Sequence, residues 1–370
     1  MRGDALLNPG NSHHVAHHGG LAATYQSISD REAAAVANAF YEIEGRVVRL
    51  TTEKDDTFRL EDRRGGKYIL KIANPAEDAS EIDCQIELLN HIERHGPDLP
   101  IPRVIPTKSG FLHFQYEDQA GQSRRVRLMS YLEGIPLSEI SSSAEIREEV
   151  GIILARLRLA MEDFRHAADT RVLAWDVKHL ASLRPLLPEI ADQGHRKHLE
   201  QAFARFAEIE PWIANSRSQV VHNDFSKSNV VIDTRSPSRV SGVIDFGDAV
   251  RTSIAIDLST ALLNQLPQRG RANLFAEGHD LLRGYLSVAD LTDDELRLTP
   301  HLVMARVVAR ALLTTWRAKM FPENATYILR NTEQGWEQLN WFLSRGIAQI
   351  SDEFCRDARE GSNLGKGSGR

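Results

Sequence analysis

Two short stretches constrain this chain more than any others: VVHNDFSKSN at residues 220–229 and VSGVIDFGDA at residues 240–249. Val230–Ile232 and Val240–Ile244 are apolar runs on either side of a polar turn containing Pro237, the pattern of an antiparallel hairpin. In a hairpin the start of one strand lies beside the end of the other. Asn229 begins the first run and Asp245 follows the second, so the fold brings both to one edge, and Asp224 sits in the loop at that edge. Three oxygen-bearing side chains are therefore expected to converge.

That set suits one chemistry. Magnesium takes hard oxygen ligands and keeps several waters, completing its shell with substrate phosphates. Asn229 and Asp245 fit as its ligands, which leaves Asp224 free to accept a proton from an attacking hydroxyl. His222, Asn223, Asp224, four residues and Asn229, followed by Asp245, Phe246 and Gly247, match in order the H-R-D-x-x-x-x-N and D-F-G elements of protein kinases. His222 is read as a brace for the loop rather than a reacting group.

The rest of the chain divides around this motif. VVRLTTEKDDTFRLED reads as two strands about a polar turn, KYILKI as a third, and DASEIDCQIELLNHIERHG as a helix. A proline-bearing connector, DLPIPRVIP, leads to two more strand-like runs ending at VRLMSYLEG. Beyond Gly134 the periodicity is helical, with the hairpin region as the β interruption. The expected fold class is α+β and bilobal: a disordered tail over 1–28, a β-rich nucleotide-binding lobe over 29–130, a helical catalytic and acceptor lobe over 131–352, and a disordered tail over 353–370. His13, His14, His17 and His18, in a Gly/Ser/Asn-rich stretch, read as part of a solvated tail rather than as a metal site.

Composition narrows the partners. A formal charge of -6 and a pI near 6.2 give no general attraction to nucleic acid or to an anionic membrane. No apolar run approaches the roughly 18 residues a spanning helix needs. Two distant cysteines, Cys84 and Cys355, suggest neither a disulfide framework nor a zinc site and fit the cytoplasm. A small-molecule partner is the remaining expectation.

With these residues in view, the chain resembles the aminoglycoside phosphotransferase and choline kinase-like family, which shares the bilobal protein-kinase fold and phosphorylates hydroxyls of small molecules. YILKIANP, LPIPRV, YLEG, GVIDFGDA and AIDLSTALL are similar in particular to the hydroxylysine kinase-like branch, including kinase domains fused to class III aminotransferases; the likeness runs from about residue 30 to 345. One departure is Asn223, where family members usually carry glycine. The resemblance implies ATP or GTP as phosphate donor with Mg2+, and an acceptor bearing a hydroxyl, either an amine or an amino acid. It makes Lys71 the anchor for nucleotide phosphates. Helical phase leaves Gln85 or Glu81 as the partner of Lys71. Thr52 and Thr57, at the ends of a glycine-free turn, are placed to meet phosphates, and Ser130, Tyr131 and Leu132 to present hinge backbone to the purine. On the acceptor side the candidates are Asp248, Trp175 beside Asp176, and the pair Arg306 and Arg310, four apart on one helical face and suited to a substrate carboxylate. Asp257 is assigned a structural part, capping its helix or tying the catalytic loop. The preferred function is phosphorylation of a hydroxylysine-like amino acid or amine. An aminoglycoside or other drug kinase, and a catalytically idle nucleotide-binding module, are the alternatives.

Overall fold

The computed structural model describes residues 25–52, 55–267 and 273–366, with side chains to residue 360. The four N-terminal histidines and the centre of the TTEKDDT turn lie outside the described residues. In the first lobe, helix α1 (Asp30–Tyr41) is capped by Ser29, whose hydroxyl accepts from the Glu32 N–H at 3.1 Å. Strands β1 (Gly45–Leu50), β2 (Asp56–Asp62), β3 (Lys67–Ile72), β4 (Val104–Ile105), β5 (His113–Glu117) and β6 (Ser123–Ser130) form one antiparallel sheet in the order β1-β2-β3-β6, with β4 and β5 both on the far edge of β6.

Alternation along the strands gives this sheet two unlike faces. Phe58, Leu60, Leu70, Ile72, Val126 and Leu128 are buried together with Ala33, Val36 and Ala37 of α1. Register puts Thr57 beside Lys71 and Lys71 beside Arg127 in a polar row on the opposite face. That row faces the side of the sheet served by helix α2 (Ala79–His95).

The second lobe begins where Gly134 crosses the hairpin. Its φ of +147° and the 2.4 Å that a Cβ would leave to the Ile232 carbonyl require glycine there. Strand β7 (Ile135–Pro136) then pairs with β9 (Val230–Ile232), which pairs with β10 (Val240–Val243). Strand β8 (Ser218–Val221) pairs instead with β11 (Val250–Ser253), a strand the sequence pattern did not reveal.

Around these strands pack helices α3 (Ala144–Ala160), α4 (Gln193–Asn215), α5 (Ile254–Leu263), α6 (Gly278–Leu286), α7 (Asp293–Met320), α8 (Thr332–Leu343) and α9 (Ile347–Lys366). Helix α7 opens on a capping box between Thr292 and Glu295 and is buried over most of its surface, as its apolar sequence requires. Its neighbours α5, α8 and α9 enclose it.

Helix α9 corrects one expectation: residues 353–366, read from composition as a disordered tail, are helical. Ile350, Phe354, Cys355 and Ala358 are buried in the main core. Burying a side chain such as Phe354 is worth about 1.5–3 kcal/mol, enough to order a polar, glycine-containing segment when several act together.

Candidate active site

Pairing of β8 with β11 and of β9 with β10 places the 222–229 loop against the 244–249 loop. The Ile244 N–H donates to the Asn229 carbonyl at 2.9 Å, and His222 Nε2 lies 3.0 Å from the Ile244 carbonyl. His222 Nδ1 accepts from the Asp224 N–H at 3.2 Å. His222 is fully buried, its ring against Phe225 and Phe246, so it fixes the loop and faces no open space.

Asp224 occupies the centre. The Asn229 amide donates to its Oδ2 at 2.7 Å and to its carbonyl at 3.0 Å. The side chain retains some exposure but is crowded by protein on every other side. Burial, then the charge of Asp248 and further that of Asp245, push the Asp224 carboxyl up to about 8, against the opposing pull of Arg306 and the Asn229 amide. Three carboxylates and an amide oxygen thus share one small volume, an excess of negative charge and hard donors suited to a divalent cation. Across the cleft, Lys71 Nζ is 3.5 Å from Asp245 Oδ1.

Two backbone features shape this edge. Asn223 and Asp245 have φ of 61° and 64°, the left-handed region that asparagine and aspartate enter more readily than other residues with a Cβ. At Asn223 this accounts for how a non-glycine residue is accommodated. Its side-chain amide is buried with neither atom hydrogen-bonded among the described residues, at a cost of about 1–3 kcal/mol.

Asp257 ties the loop and does not cap its helix. Its Oδ1 accepts from the Asn223 N–H at 2.8 Å, while Ser253 supplies the cap of α5. Arg306 requires a correction. Its guanidinium is buried, with Nε donating to Thr260 Oγ1 at 3.0 Å and the terminal nitrogens donating to the carbonyls of Trp175 and Asn223. Asp224, Asp248, Asp176 and Asp257 all lie within electrostatic reach of it. It is the countercharge of the catalytic loop and is not free to fork onto a substrate carboxylate.

Arg310, one turn further along α7, differs. It donates to the neutral Gln338 at 2.9 Å, and among the described residues it makes no ion pair. Burial, then the proximity of Arg306, pull it down to about 10, so it remains a cation at neutral pH. Trp175 is partly exposed and packs against the main core, and Asp176 is buried, accepting from Lys178 N–H and Thr252 at 3.0 Å each.

The nucleotide side departs further from expectation. Neither Gln85 nor Glu81 reaches Lys71. Gln85 Oε1 accepts from Arg127 at 3.1 Å and its amide donates to Glu77 at 3.4 Å. Arg127 itself pairs with Asp55 at 3.3 Å. Glu81 lies 3.8 Å from Arg171, whose other terminal nitrogen donates to the carbonyls of Gly247 and Ala249 at 2.5 and 3.0 Å. Arg171, which sequence reasoning missed, therefore joins α2 to the Asp245 loop. No motif marks it, since its role depends on a fold contact 76 residues away.

Thr57 is buried beside Lys71 with its hydroxyl unpartnered, whereas Thr52 is exposed and donates to the Asp55 carbonyl. At the lobe junction the Ser130 N–H donates to Arg103 and the Tyr131 N–H to Lys67, at 2.9 and 3.3 Å. Of the three hinge donors, these two are already engaged.

Comparison with known proteins decides the class. The family model for the phosphotransferase enzyme family matches residues 48–301, more than half the chain. The chain belongs to that family. A hydroxylysine kinase of Mus musculus is 24% identical over 85% of this chain and 89% of its own length, and a homoserine kinase of Sinorhizobium fredii is 27% identical over 75% and 81%. An amicoumacin kinase solved with AMP-PNP, Ca2+ and its ligand covers 83% of this chain and 93% of its own with TM-score 0.64 at 17% identity, and a microcompartment-associated aminopropanol kinase covers 85% and 98% with TM-score 0.63 at 21% identity. The fold is accordingly the bilobal α+β fold of these kinases. The protein is a small-molecule O-phosphotransferase. Among the described residues no helix is long and apolar enough to cross a membrane.

Proposed function

We propose that the chain transfers the γ-phosphoryl group of ATP or GTP, with Mg2+, to the side-chain hydroxyl of a small amino acid resembling hydroxylysine or homoserine. The observation that carries the phosphoryl-transfer half is the convergence of Asp224, Asn229, Asp245 and Asp248 opposite Lys71. Asp245 and Asn229 would hold the metal, with Asp248 beside them; bound there, Mg2+ would neutralise charge on the donor phosphates and on this carboxylate cluster.

Asp224 acts as the base. As the acceptor oxygen bonds to the γ-phosphorus and the bond to the leaving nucleoside diphosphate breaks, the hydroxyl proton passes to an Asp224 oxygen. A carboxyl near 8, with the pull of Arg306 already included, holds its own proton at neutral pH, so the further positive charge of a bound metal would be what makes it a competent base. Asn229 holds the carboxylate in one orientation through Oδ2, leaving Oδ1 for the proton. Lys71 anchors the phosphates, with Thr57 beside it. Leu132, whose N–H makes no hydrogen bond among the described residues, is the hinge residue left to meet the base.

The acceptor half rests on Arg310, a cation that among the described residues has no carboxylate partner, one helical turn from the residue that braces the loop of Asp224. A substrate carboxylate would supply its missing partner, and Asp248 would serve the ammonium. The 24–27% relatives that phosphorylate hydroxylysine and homoserine support the same substrate class.

The test is turnover with MgATP and MgGTP on 5-hydroxylysine, homoserine, 1-amino-2-propanol, ethanolamine and an aminoglycoside. Hydroxy amino acids are expected to be the best acceptors. Because a charged hydrogen bond contributes about 1.5–3 kcal/mol, Arg310→Gln should raise their KM by about 10–100-fold with a smaller change in kcat. Equal turnover of the amino alcohols, unaffected by Arg310→Gln, would assign the acceptor to an amine or drug instead.

A further inference from the structure

A second cluster with ligand chemistry lies away from the phosphoryl-transfer residues, where α2 of the sheet lobe meets the turn that follows α3. His91 and His95 are one turn apart on α2, with ring centroids 4.0 Å apart and planes 24° from parallel. Asp163 comes from the other lobe, its Oδ1 3.1 Å from His91 Nε2. One ligand atom from each of the three residues lies within 4.8 Å of the other two.

The tautomer of His95 is set as a metal site requires. Its Nδ1 donates to the His91 carbonyl at 2.9 Å, which leaves the Nε2 lone pair facing outward. His91 is held from behind by the Phe164 ring at 5.3 Å and by burial, whereas His95 and Asp163 are exposed, with solvent rather than packed core on their outer sides. Ligands 2.0–2.2 Å from a tetrahedral ion lie about 3.4 Å from one another; His91 Nε2 and Asp163 Oδ1 are already 3.1 Å apart and no pair exceeds 4.8 Å, so the adjustment needed is at most about 1.4 Å. Two imidazoles with one carboxylate favour zinc and its transition-metal neighbours over magnesium or calcium.

We infer that His91, His95 and Asp163 bind a divalent transition-metal ion of the zinc class, with water in the fourth position, and that this ion clips α2 to the helical lobe. The site is separate from the phosphoryl-transfer residues and does not rest on the assignment of the acceptor. A bound ion is linked to folding because it engages both lobes only in the native arrangement, so it raises the melting temperature by an amount that grows with the logarithm of free metal concentration above the dissociation constant.

The experiment is calorimetric titration of ZnCl2 into the full chain, followed by thermal melts, with excess Mg2+ present to occupy the oxygen-rich site. Reference and variants alike carry Gln at positions 13, 14, 17 and 18, so that the N-terminal histidines do not contribute. One zinc ion per chain and a higher melting temperature are expected. His95→Asn and Asp163→Asn should each weaken zinc at least tenfold and abolish the thermal shift, while melting near the reference without zinc because both side chains are exposed. Zinc affinity and shift unchanged in both variants, or no zinc bound by the reference, would overturn the site and leave an ordinary His91–Asp163 hydrogen bond.

Discussion

The catalytic loop and the phosphate anchor face each other across the cleft, yet they are held in opposite ways. Residues 222–229 are fixed from beneath by fully internal groups: Asp257 on the Asn223 N–H, Arg306 on the Asn223 carbonyl, and His222 on the neighbouring strand. Among the described residues Lys71 has one polar partner, Asp245 at 3.5 Å, and the helix that would steady it sends Gln85 to Arg127 and Glu81 to Arg171. In the proposed roles, Asp224 is thus positioned before any ligand arrives, whereas Lys71 would take its final place only with the phosphates. Under that proposal preorganisation would be concentrated where the proton moves, and adjustability where the nucleotide enters and leaves.

Five substitutions test that contrast. The largest effect falls on Arg306, because removing the cation leaves four carboxylates around an unfilled, buried space. Arg306→Met should destabilise the chain by about 3–5 kcal/mol in denaturant unfolding, and a change under about 1 kcal/mol would show that the loop does not depend on it. Next is Asp224→Asn, expected to lower kcat by about 10³-fold with nucleotide affinity retained. The same variant carries a pH signature. The folded carboxyl titrates near 8 and the unfolded one in the ordinary range, so the metal-free wild type binds an extra proton when folded. Its stability should fall as pH rises between those values, by up to about 1.4 kcal/mol per unit from this group, and Asp224→Asn should remove that slope. Chemical denaturation at pH 5 and 7.5 measures the difference.

Lys71→Ala should lower kcat/KM by about 10²-fold while leaving the melting temperature within a degree or two, the reverse of the Arg306 result. If it unfolds the protein, the anchor is structural and the contrast fails. The smallest change is expected at Arg171→Met. Loosening the link between α2 and the Gly247 carbonyl should cost about threefold to tenfold in kcat/KM, with Glu81→Gln producing part of the same loss because the two act through one pair.

What could be read from sequence follows the same division. The hairpin, the loop and the meeting of Asp224, Asn229 and Asp245 were legible because strand pairing within some 35 residues fixes them, and the D-F-G and H-x-D-x-x-x-x-N spacings are local. The partner of Lys71 was not, because it depends on how α2 rotates over the sheet, and a helical wheel gives the relative phase of Glu81 and Gln85 but not that angle. Arg306 and Arg310 were found together and have different surroundings: four-residue spacing places both on one face of α7, and only packing against the Trp175 and Asn223 carbonyls separates brace from free cation. The α9 helix was missed although Ile347, Ile350, Phe354 and Ala358 carry helical spacing, since glycine and charge near the terminus outweighed four apolar residues. Strand β11 has no periodicity to detect over four residues and exists because β8 needs an antiparallel partner.

The measurement closest to the central claim is 31P detection of product with MgATP or MgGTP and the matched acceptors 5-hydroxylysine and lysine, or homoserine and 2-aminobutyrate, for wild type and Asp224→Asn. Each pair differs only in the hydroxyl. A phosphate ester formed from the hydroxylated member alone, and lost with Asp224→Asn, is the predicted result. Product from the deoxy member, or undiminished turnover by Asp224→Asn, would contradict a hydroxyl acceptor activated by Asp224.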